Sequence, residues 1–227
     1  MILILIGPPG SGKSTQCQLL VDTFQLPFLS VGEIIRQALT TEEFSAYRHK
    51  VEAGNLLPDE IVLNVIRSKF NNIDLHKGFV MEGFPRTVGQ ASWIDDFLES
   101  KGFKVDKVVF LDNMGTETIK KRILSRHQCN RCKRVFAPEE IKNKGLCPLC
   151  DGPLYDRQDD QESVLENRIK QYHRQSHPVK EYYSNKNVLI AVDASKEIQQ
   201  VFNSILEQLK NEQNNKESTA SHDYAQK

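Results

Sequence analysis

The sequence lacks several features that would assign it to a common class of protein. Its 227 residues contain no apolar run of the ~18 residues that a membrane span needs. Neither sign of charge is in excess, since Lys and Arg total 30 and Asp and Glu also total 30. This balance argues against a protein held to nucleic acid mainly by net positive charge. The first residues show no basic region and no small-residue cleavage site, so a cytoplasmic protein is expected.

Cysteine is also scarce, and the five residues present argue against a secreted disulfide scaffold. Four of them form two Cys-x-x-Cys pairs, Cys129 with Cys132 and Cys147 with Cys150. This pattern is typical of a tetrahedral Zn²⁺ site, and because protein ligands fill all four positions, the metal would be structural. Four reduced thiols, or two disulfides, are the alternatives. Cys17 is expected to be a packed helix residue.

The apolar residues are distributed in a pattern typical of an α/β fold. Short apolar runs at 2–6, 78–81, 108–111 and 188–192 predict buried parallel strands. Helical patterns occupy 13–24, 34–39, 59–70, 93–98, 116–124, 161–183 and 195–209. This alternation predicts a parallel sheet with helices on both faces. Residues from about 30 to 57 and from about 127 to 160 interrupt the alternation and are interpreted as insertions. The polar residues from 211 onward predict a disordered tail.

A glycine-rich segment follows the first predicted strand. Residues 7–14 fit the pattern G-x-x-x-x-G-K-[ST] and open a predicted helix, which is the context that supports a P-loop. Its backbone N–H groups would hold a phosphate, Lys13 would reach the β- and γ-phosphates, and Ser14 or Thr15 would face Mg²⁺. A chance glycine-rich turn is the simpler alternative. The motif predicts a protein that binds a nucleoside triphosphate.

A second candidate site follows the next strong strand, at residues 82–87. The carboxyl ends of parallel strands are where such folds hold their ligands. Glu82 is a candidate to hold Mg²⁺ through water, and Arg86 is a candidate to contact a transferring phosphate. The alternative is a turn before a helix that carries a solvated arginine.

Further arginines are spaced so that they can converge on phosphate. Arg122 and Arg126 share one helix face, while Arg157 and Arg168 flank the polar segment after the cysteines. Phosphoryl transfer depends on neutralising charge on the phosphate oxygens, which several cations can do together. Each arginine taken alone is more often a solvated surface residue.

These motifs occur in the order found in one family. Residues 7–15, 31–36, 83–87 and 156–160, with Arg122 and Arg126, make the chain resemble the adenylate kinase family in its long form with a cysteine-bearing lid, over about residues 1 to 209. The resemblance implies a P-loop NTPase-type core at 1–29, 60–125 and 165–210. It also implies a helical monophosphate-binding insertion at 30–59, a zinc-ribbon-like lid at 126–164 and a tail at 211–227.

The same resemblance implies the reversible reaction of ATP and AMP to two ADP, with Mg²⁺, a closing lid, a monomeric state and neither nucleic acid nor membrane as partner. It assigns the catalytic roles to Lys13, Arg86, Arg122, Arg126, Arg157 and Arg168. It assigns ATP binding to Gly10, Ser11, Gly12, Lys13, Ser14, Thr15, Arg126, Val135, Phe136 and Lys196. It assigns AMP binding to Val31, Arg36, Asn55, Leu56, Leu57, Gly83, Phe84, Pro85, Arg86, Gln90, Arg157 and Arg168.

Three residues depart from the family pattern. Val31, Glu82 and Ser14 stand where the family usually has Thr, Asp and Gly. Because Val31 cannot hydrogen-bond, recognition of adenine rests on Gln90, whose amide both donates and accepts. GMP or a pyrimidine monophosphate is therefore an alternative acceptor. An alternative from another class is a nucleic-acid reader built on the basic residues around the cysteines: Arg126, Arg131, Lys133, Arg134, Lys142 and Lys144.

Overall fold

The computed structural model describes residues 1–143 and 145–223, with side chains described as far as Asn211. Its strands are β1 (Ile2–Ile6), β2 (Phe28–Ser30), β3 (Phe79–Glu82), β4 (Lys107–Asp112), β5 (His127–Cys129), β6 (Val135–Phe136), β7 (Leu154–Tyr155) and β8 (Leu189–Asp193). Its helices are α1 (Lys13–Phe24), α2 (Val31–Ala38), α3 (Arg48–Glu52), α4 (Asp59–Phe70), α5 (Val88–Glu99), α6 (Thr116–Ser125), α7 (Glu162–Gln171), α8 (Pro178–Asn185) and α9 (Ile198–Asp223).

A parallel sheet in the order β2-β3-β1-β4-β8 forms the centre of the molecule. Its side chains alternate between two apolar layers, as the pleat requires. Ile2 and Ile4 of β1 pack with residues of α4, α5 and α8 on one face. Leu3 and Leu5 pack with α1 and α9 on the other face. The predicted α/β fold is confirmed, and all five strands direct their carboxyl ends toward one edge of the sheet.

A smaller antiparallel sheet in the order β6-β5-β7 lies in the cysteine-bearing segment, residues 126–164. Its buried apolar cluster consists of Cys129, Phe136 and Cys147, with three partly buried residues packed beside them. Strands of two or three residues carry too little periodicity to be recognised in a sequence. For this reason the sequence predicted neither this sheet nor β2.

The predicted helix over 161–183 is wrong as a single element. α7 ends at Gln171, a π-helical turn covers Tyr172–Ser176, and α8 begins at Pro178. Proline has no N–H and its ring clashes with the preceding turn, so a regular α-helix cannot pass through it. The chain accommodates this with a wider turn, in which His177 N donates to Tyr172 O at 2.9 Å.

Within 1–143 and 145–223, each helix is too short or too polar to cross a membrane. The predicted disordered tail, 211–227, overlaps α9 as far as Asp223, but its side chains from 212 onward and all of 224–227 lie outside the described residues. It stays a prediction, as does the division into core, insertion and lid.

Candidate nucleotide-binding site

The P-loop joins β1 to α1 and is closed by backbone that only glycine allows. Gly7 has φ +147°, and a Cβ there would lie 2.6 Å from the Leu111 carbonyl oxygen. Lys13 Nζ donates to the carbonyl oxygens of Gly7 and Pro8, at 2.9 and 2.7 Å. The lysine is thereby held across the mouth of the loop, where a phosphate would meet it.

The surroundings of Lys13 disfavour its positive charge. Desolvation in the cleft lowers the pKa of Lys13 to about 7, with help from the charges of Arg86, Arg126 and Arg168 and against the attraction of Glu82. A bound triphosphate would place negative charge beside Lys13 and so stabilise its protonated form.

Glu82 ends β3 and is 9 % exposed. Ser14 Oγ donates to its two carboxylate oxygens at 3.0 and 2.8 Å, and Ser30 Oγ donates to Oε1 at 3.0 Å. Two of the departures from the family pattern, Ser14 and Glu82, therefore contact each other. Carboxylate and hydroxyl oxygens are the hard ligands that Mg²⁺ prefers, so this pair fits a magnesium site beside the P-loop.

Asp160 holds two of the predicted arginines. Arg126 donates to both Asp160 oxygens at 2.7 Å, and Arg168 donates to Oδ1 at 2.7 Å. Although burial opposes it, these hydrogen bonds and charges keep the pKa of Asp160 below its ordinary value. Arg126 follows α6 and Arg168 belongs to α7, so one carboxylate joins the two places where the cysteine-bearing segment leaves the core.

Other arginines of the cluster are less neutralised. Desolvation and the charges of Arg168 and Arg36 lower the pKa of Arg86 to about 10. Desolvation and the charges of Arg126 and Arg36 do the same for Arg157, whose Nε donates to Gln128 Oε1 at 2.7 Å. Guanidiniums crowded in this way attract anions, and phosphate oxygens suit them through paired N–H donors.

A single cavity of about 760 Å³ connects these parts. Its volume lies in the range of small-molecule sites. Every residue that the resemblance assigned to catalysis, ATP or AMP lines it, and so does Glu82. These residues come from distant parts of the chain, including the P-loop, α2, the start of α5, the cysteine-bearing segment and the loop before α9.

The four paired cysteines form a second centre. Their sulfurs all lie within 4.8 Å of one another, with Cys129–Cys150 at 3.5 Å and Cys132–Cys147 at 3.7 Å. Four sulfurs bound to one Zn²⁺ lie about 3.8 Å apart, whereas a disulfide bond is about 2.05 Å long. All five cysteines are free, so the structure does not support the disulfide alternative.

Backbone N–H groups lie close to two of the sulfurs, and at Cys129 they favour a thiolate. Arg131 N and Cys132 N lie 3.3 and 3.4 Å from Cys129 Sγ, and Leu149 N lies 3.4 Å from Cys147 Sγ. Burial raises the pKa of Cys129, but hydrogen bonds outweigh it and lower the pKa to about 6. The donor set and its spacing fit a structural zinc ion. Cys17 is buried within α1, as predicted.

Comparison with known proteins identifies the family. The family model described as adenylate kinase matches residues 5–188. The chain is 37 % identical over 212 residues to the adenylate kinase of Clostridium tetani, covering 90 % of this chain and 96 % of that protein. It is 38 % identical over 216 residues to that of Geotalea daltonii, covering 91 % and 100 %. The chain belongs to the adenylate kinase family. It is an enzyme of that family, as the motifs predicted.

Several residues that make contacts in the nucleotide site of this adenylate kinase family member were not predicted to lie there. Asp160 and Asp159 belong to a motif used for the resemblance, but no partner was assigned to them. Ser30 carried no signal at all. Asp59 was predicted only as the first residue of the helix at 59–70, yet it receives a hydrogen bond from Gln90. The contacts join residues between 8 and 52 positions apart in the sequence, so only the fold shows them.

Proposed function

We propose that this protein transfers the terminal phosphate of ATP to AMP, giving two ADP, with Mg²⁺ on the nucleotide and residues 126–164 closing as a lid. The observation that carries the proposal is the single cavity in which a P-loop, a Gln90-bearing pocket and a converging set of arginines meet. Such a cavity can hold two nucleotides with their phosphates between the cations.

In the proposed reaction, a phosphate oxygen of AMP attacks the γ-phosphorus of ATP. One P–O bond forms, the β–γ bridging P–O bond breaks, and ADP leaves with the bridging oxygen. The P-loop N–H groups and Lys13 hold the β- and γ-phosphates, while Arg86, Arg157 and Arg168 neutralise the oxygens of the transferring group. Glu82 and Ser14 would hold Mg²⁺, which supplies further neutralisation when bound.

The proposed lid serves the reaction by excluding water, which would otherwise hydrolyse ATP. Asp160 of this segment binds Arg168 of the core as well as Arg126 at the start of the segment, so closing would be coupled to assembly of the cationic site. The four cysteines would hold the zinc ion that stabilises the segment. The boundaries 30–59 for the AMP insertion and 126–164 for the lid, and a monomeric cytoplasmic protein, belong to this proposal.

The nucleic-acid alternative has less support. Arg131 donates to the Cys150 carbonyl oxygen at 2.9 Å, Arg134 pairs with Asp22 at 3.4 Å, and Lys133 lies 4.0 Å from Glu33. These contacts within the chain use the side chains that a nucleic-acid reader would present. Lys144 lies outside the described residues.

One observation makes the identity of the acceptor base the property to test. Val31 lines the cavity and is 2 % exposed, so it offers the acceptor base an apolar contact in place of a hydroxyl. The test is a coupled assay of MgATP with AMP, GMP, CMP and UMP. We expect AMP to be preferred by several hundred-fold, which corresponds to roughly 3 kcal/mol.

Preference for another base would overturn the AMP assignment while leaving a monophosphate kinase, and no transfer to any of the four would overturn the proposal. Arg86→Ala provides the second arm, because removing a cation from the transferring phosphate should abolish transfer. Wild-type activity in this variant would refute the role of Arg86.

A further inference from the structure

Gln90 is held by two groups that leave its amide only one orientation. The side chain is 2 % exposed and lines the cavity. Arg86 N donates to its Oε1 at 2.8 Å, and its Nε2 donates to Asp59 Oδ1 at 2.7 Å. A backbone N–H can only donate and an ionised carboxylate can only accept. Turning the amide over would therefore place donor against donor and acceptor against acceptor.

Asp59 is itself fixed in place. Its second oxygen, Oδ2, accepts from Thr87 Oγ1 at 2.7 Å, and Thr87 Oγ1 accepts from Gln90 N at 3.1 Å. Asp59 is the first residue of α4, and Thr87 is the N-cap of α5. The N-terminal ends of two helices thus meet at this carboxylate.

The held amide still has one free N–H on Nε2 and one free lone pair on Oε1. These two groups present a donor and an acceptor in a fixed order. The N1 and N6 positions of adenine offer an acceptor and a donor, whereas the same positions of hypoxanthine or guanine offer a donor and an acceptor. One orientation of the amide therefore matches adenine, and the reversed orientation matches a 6-oxopurine.

We propose that Asp59 is a specificity-determining positioning residue, which selects adenine by fixing the orientation of the Gln90 amide. The inference rests on the proposed function, because Gln90 meets a base only if this cavity accepts a nucleoside monophosphate. Because Val31 cannot form a hydrogen bond with the base, recognition of the base depends more strongly on Gln90 and therefore on Asp59.

The test compares AMP with IMP, which differs from it only at this edge of the base. Asp59→Asn keeps the shape of the side chain but adds an N–H donor. The oxygen of a reversed Gln90 amide would then meet a donor instead of a second acceptor, so the reversal would cost less free energy. We expect the ratio of kcat/KM for AMP to kcat/KM for IMP to fall about tenfold or more. The change should appear in KM, while kcat for AMP should be nearly retained. Calorimetric binding of AMP and IMP without ATP should show the same fall.

Two further variants separate positioning from a general structural effect. Asp74→Asn makes the same chemical change at an exposed turn cap away from the cavity and should leave the ratio unchanged. In a Gln90→Leu background, Asp59→Asn should have no further effect on the ratio, because the group that it orients is gone. Should Asp59→Asn fail to fold, Asp59→Ala, which removes the acceptor that holds Gln90 Nε2, takes its place with the same expectation.

The outcomes distinguish the two proposals. A wild-type protein that does not discriminate AMP from IMP would overturn the proposed reading of adenine by Gln90. A discriminating wild-type protein with an unchanged ratio in Asp59→Asn, or with AMP and IMP weakened equally, would overturn the role of Asp59 alone.

Discussion

Lys13 shows how the site depends on its ligand at the scale of a single residue. Its ammonium lies against two P-loop carbonyl oxygens and among several guanidiniums, with Glu82 as the opposing charge. The pKa of about 7 means that the free protein gains and loses this proton near neutral pH. Phosphate binding and protonation of Lys13 must then be linked.

The linkage gives a pH dependence. Below the pKa of about 7, Lys13 is already charged and ATP binds without taking up a proton. Above it, binding must protonate Lys13, so the affinity for ATP should fall as the pH rises. At a pH of about 8.5 we expect the uptake of about one proton per ATP, measured by calorimetry in two buffers of different ionisation enthalpy.

Lys13→Arg is the matched control, because arginine keeps its proton throughout this range. This variant should show no proton uptake from position 13. Equal uptake in the wild type and in Lys13→Arg would contradict the prediction.

At the residue scale, a functional site could be predicted from the sequence where its residues are neighbours in the chain. The P-loop could be predicted because residues 7–14 form one phosphate-binding loop by themselves. The pairs that orient the site could not, because Gln90 and Asp59 are 31 residues apart and Arg126 and Asp160 are 34 residues apart. A local sequence pattern does not indicate which polar side chains contact each other across such distances.

At the scale of elements, strong terminal signals determined how well the bounds could be predicted. The structure gives α4 the predicted bounds because Pro58 and the acidic residues after it mark its start. α5 begins five residues before the predicted helix, since Thr87 caps it through a side-chain hydrogen bond that apolar periodicity does not register. The helix predicted over 161–183 shows the reverse. Its apolar periodicity continues through the π-helical turn before Pro178, so the periodicity gives no sign that α7 ends there.

Strand β1 is the central strand of the parallel sheet, and all five of its residues are buried. Ile4 is completely buried and lies between Met81 of β3 and Val108 of β4. Ile4→Ala should lower the free energy of unfolding by about 2–5 kcal/mol, because it removes packed atoms and leaves a cavity. Urea unfolding measures the loss. Ile198→Ala, at a side chain 49 % exposed, should change it by less than about 0.5 kcal/mol.

An equal effect of Ile4→Ala and Ile198→Ala would contradict the assignment of β1 to the core. A loss confined to Ile4→Ala would support it.

At the scale of the whole molecule, the two sheets have different sources of stability. The parallel sheet lies between two large apolar layers, whereas the cysteine-bearing segment has three buried apolar residues in its cluster, two of which are cysteines. A cluster of this size cannot by itself offset the entropy of ordering the segment. The bound metal would supply the missing stability.

Loss of the metal should therefore affect the molecule in two stages. Cys132→Ser, or chelation, should release zinc and increase hydrogen exchange first in 126–164, while the parallel sheet stays protected until a higher temperature. Elemental analysis and exchange measured by mass spectrometry check this. Leu149→Ala, beside the same site but 57 % exposed, should keep the metal. Uniform exchange before and after chelation would contradict the prediction.

The position of Asp160 has a consequence for how this molecule can change in evolution. The cysteine-bearing segment leaves the core and returns to it at one point, where Arg126, Asp160 and Arg168 meet. Inserting, deleting or exchanging residues between Arg126 and Asp160 therefore leaves the register of every strand in the parallel sheet unchanged. The length of the segment and its metal ligands can therefore change as a unit, provided that the cavity residues Val135, Phe136 and Arg157 and the junction of one carboxylate and two guanidiniums are kept.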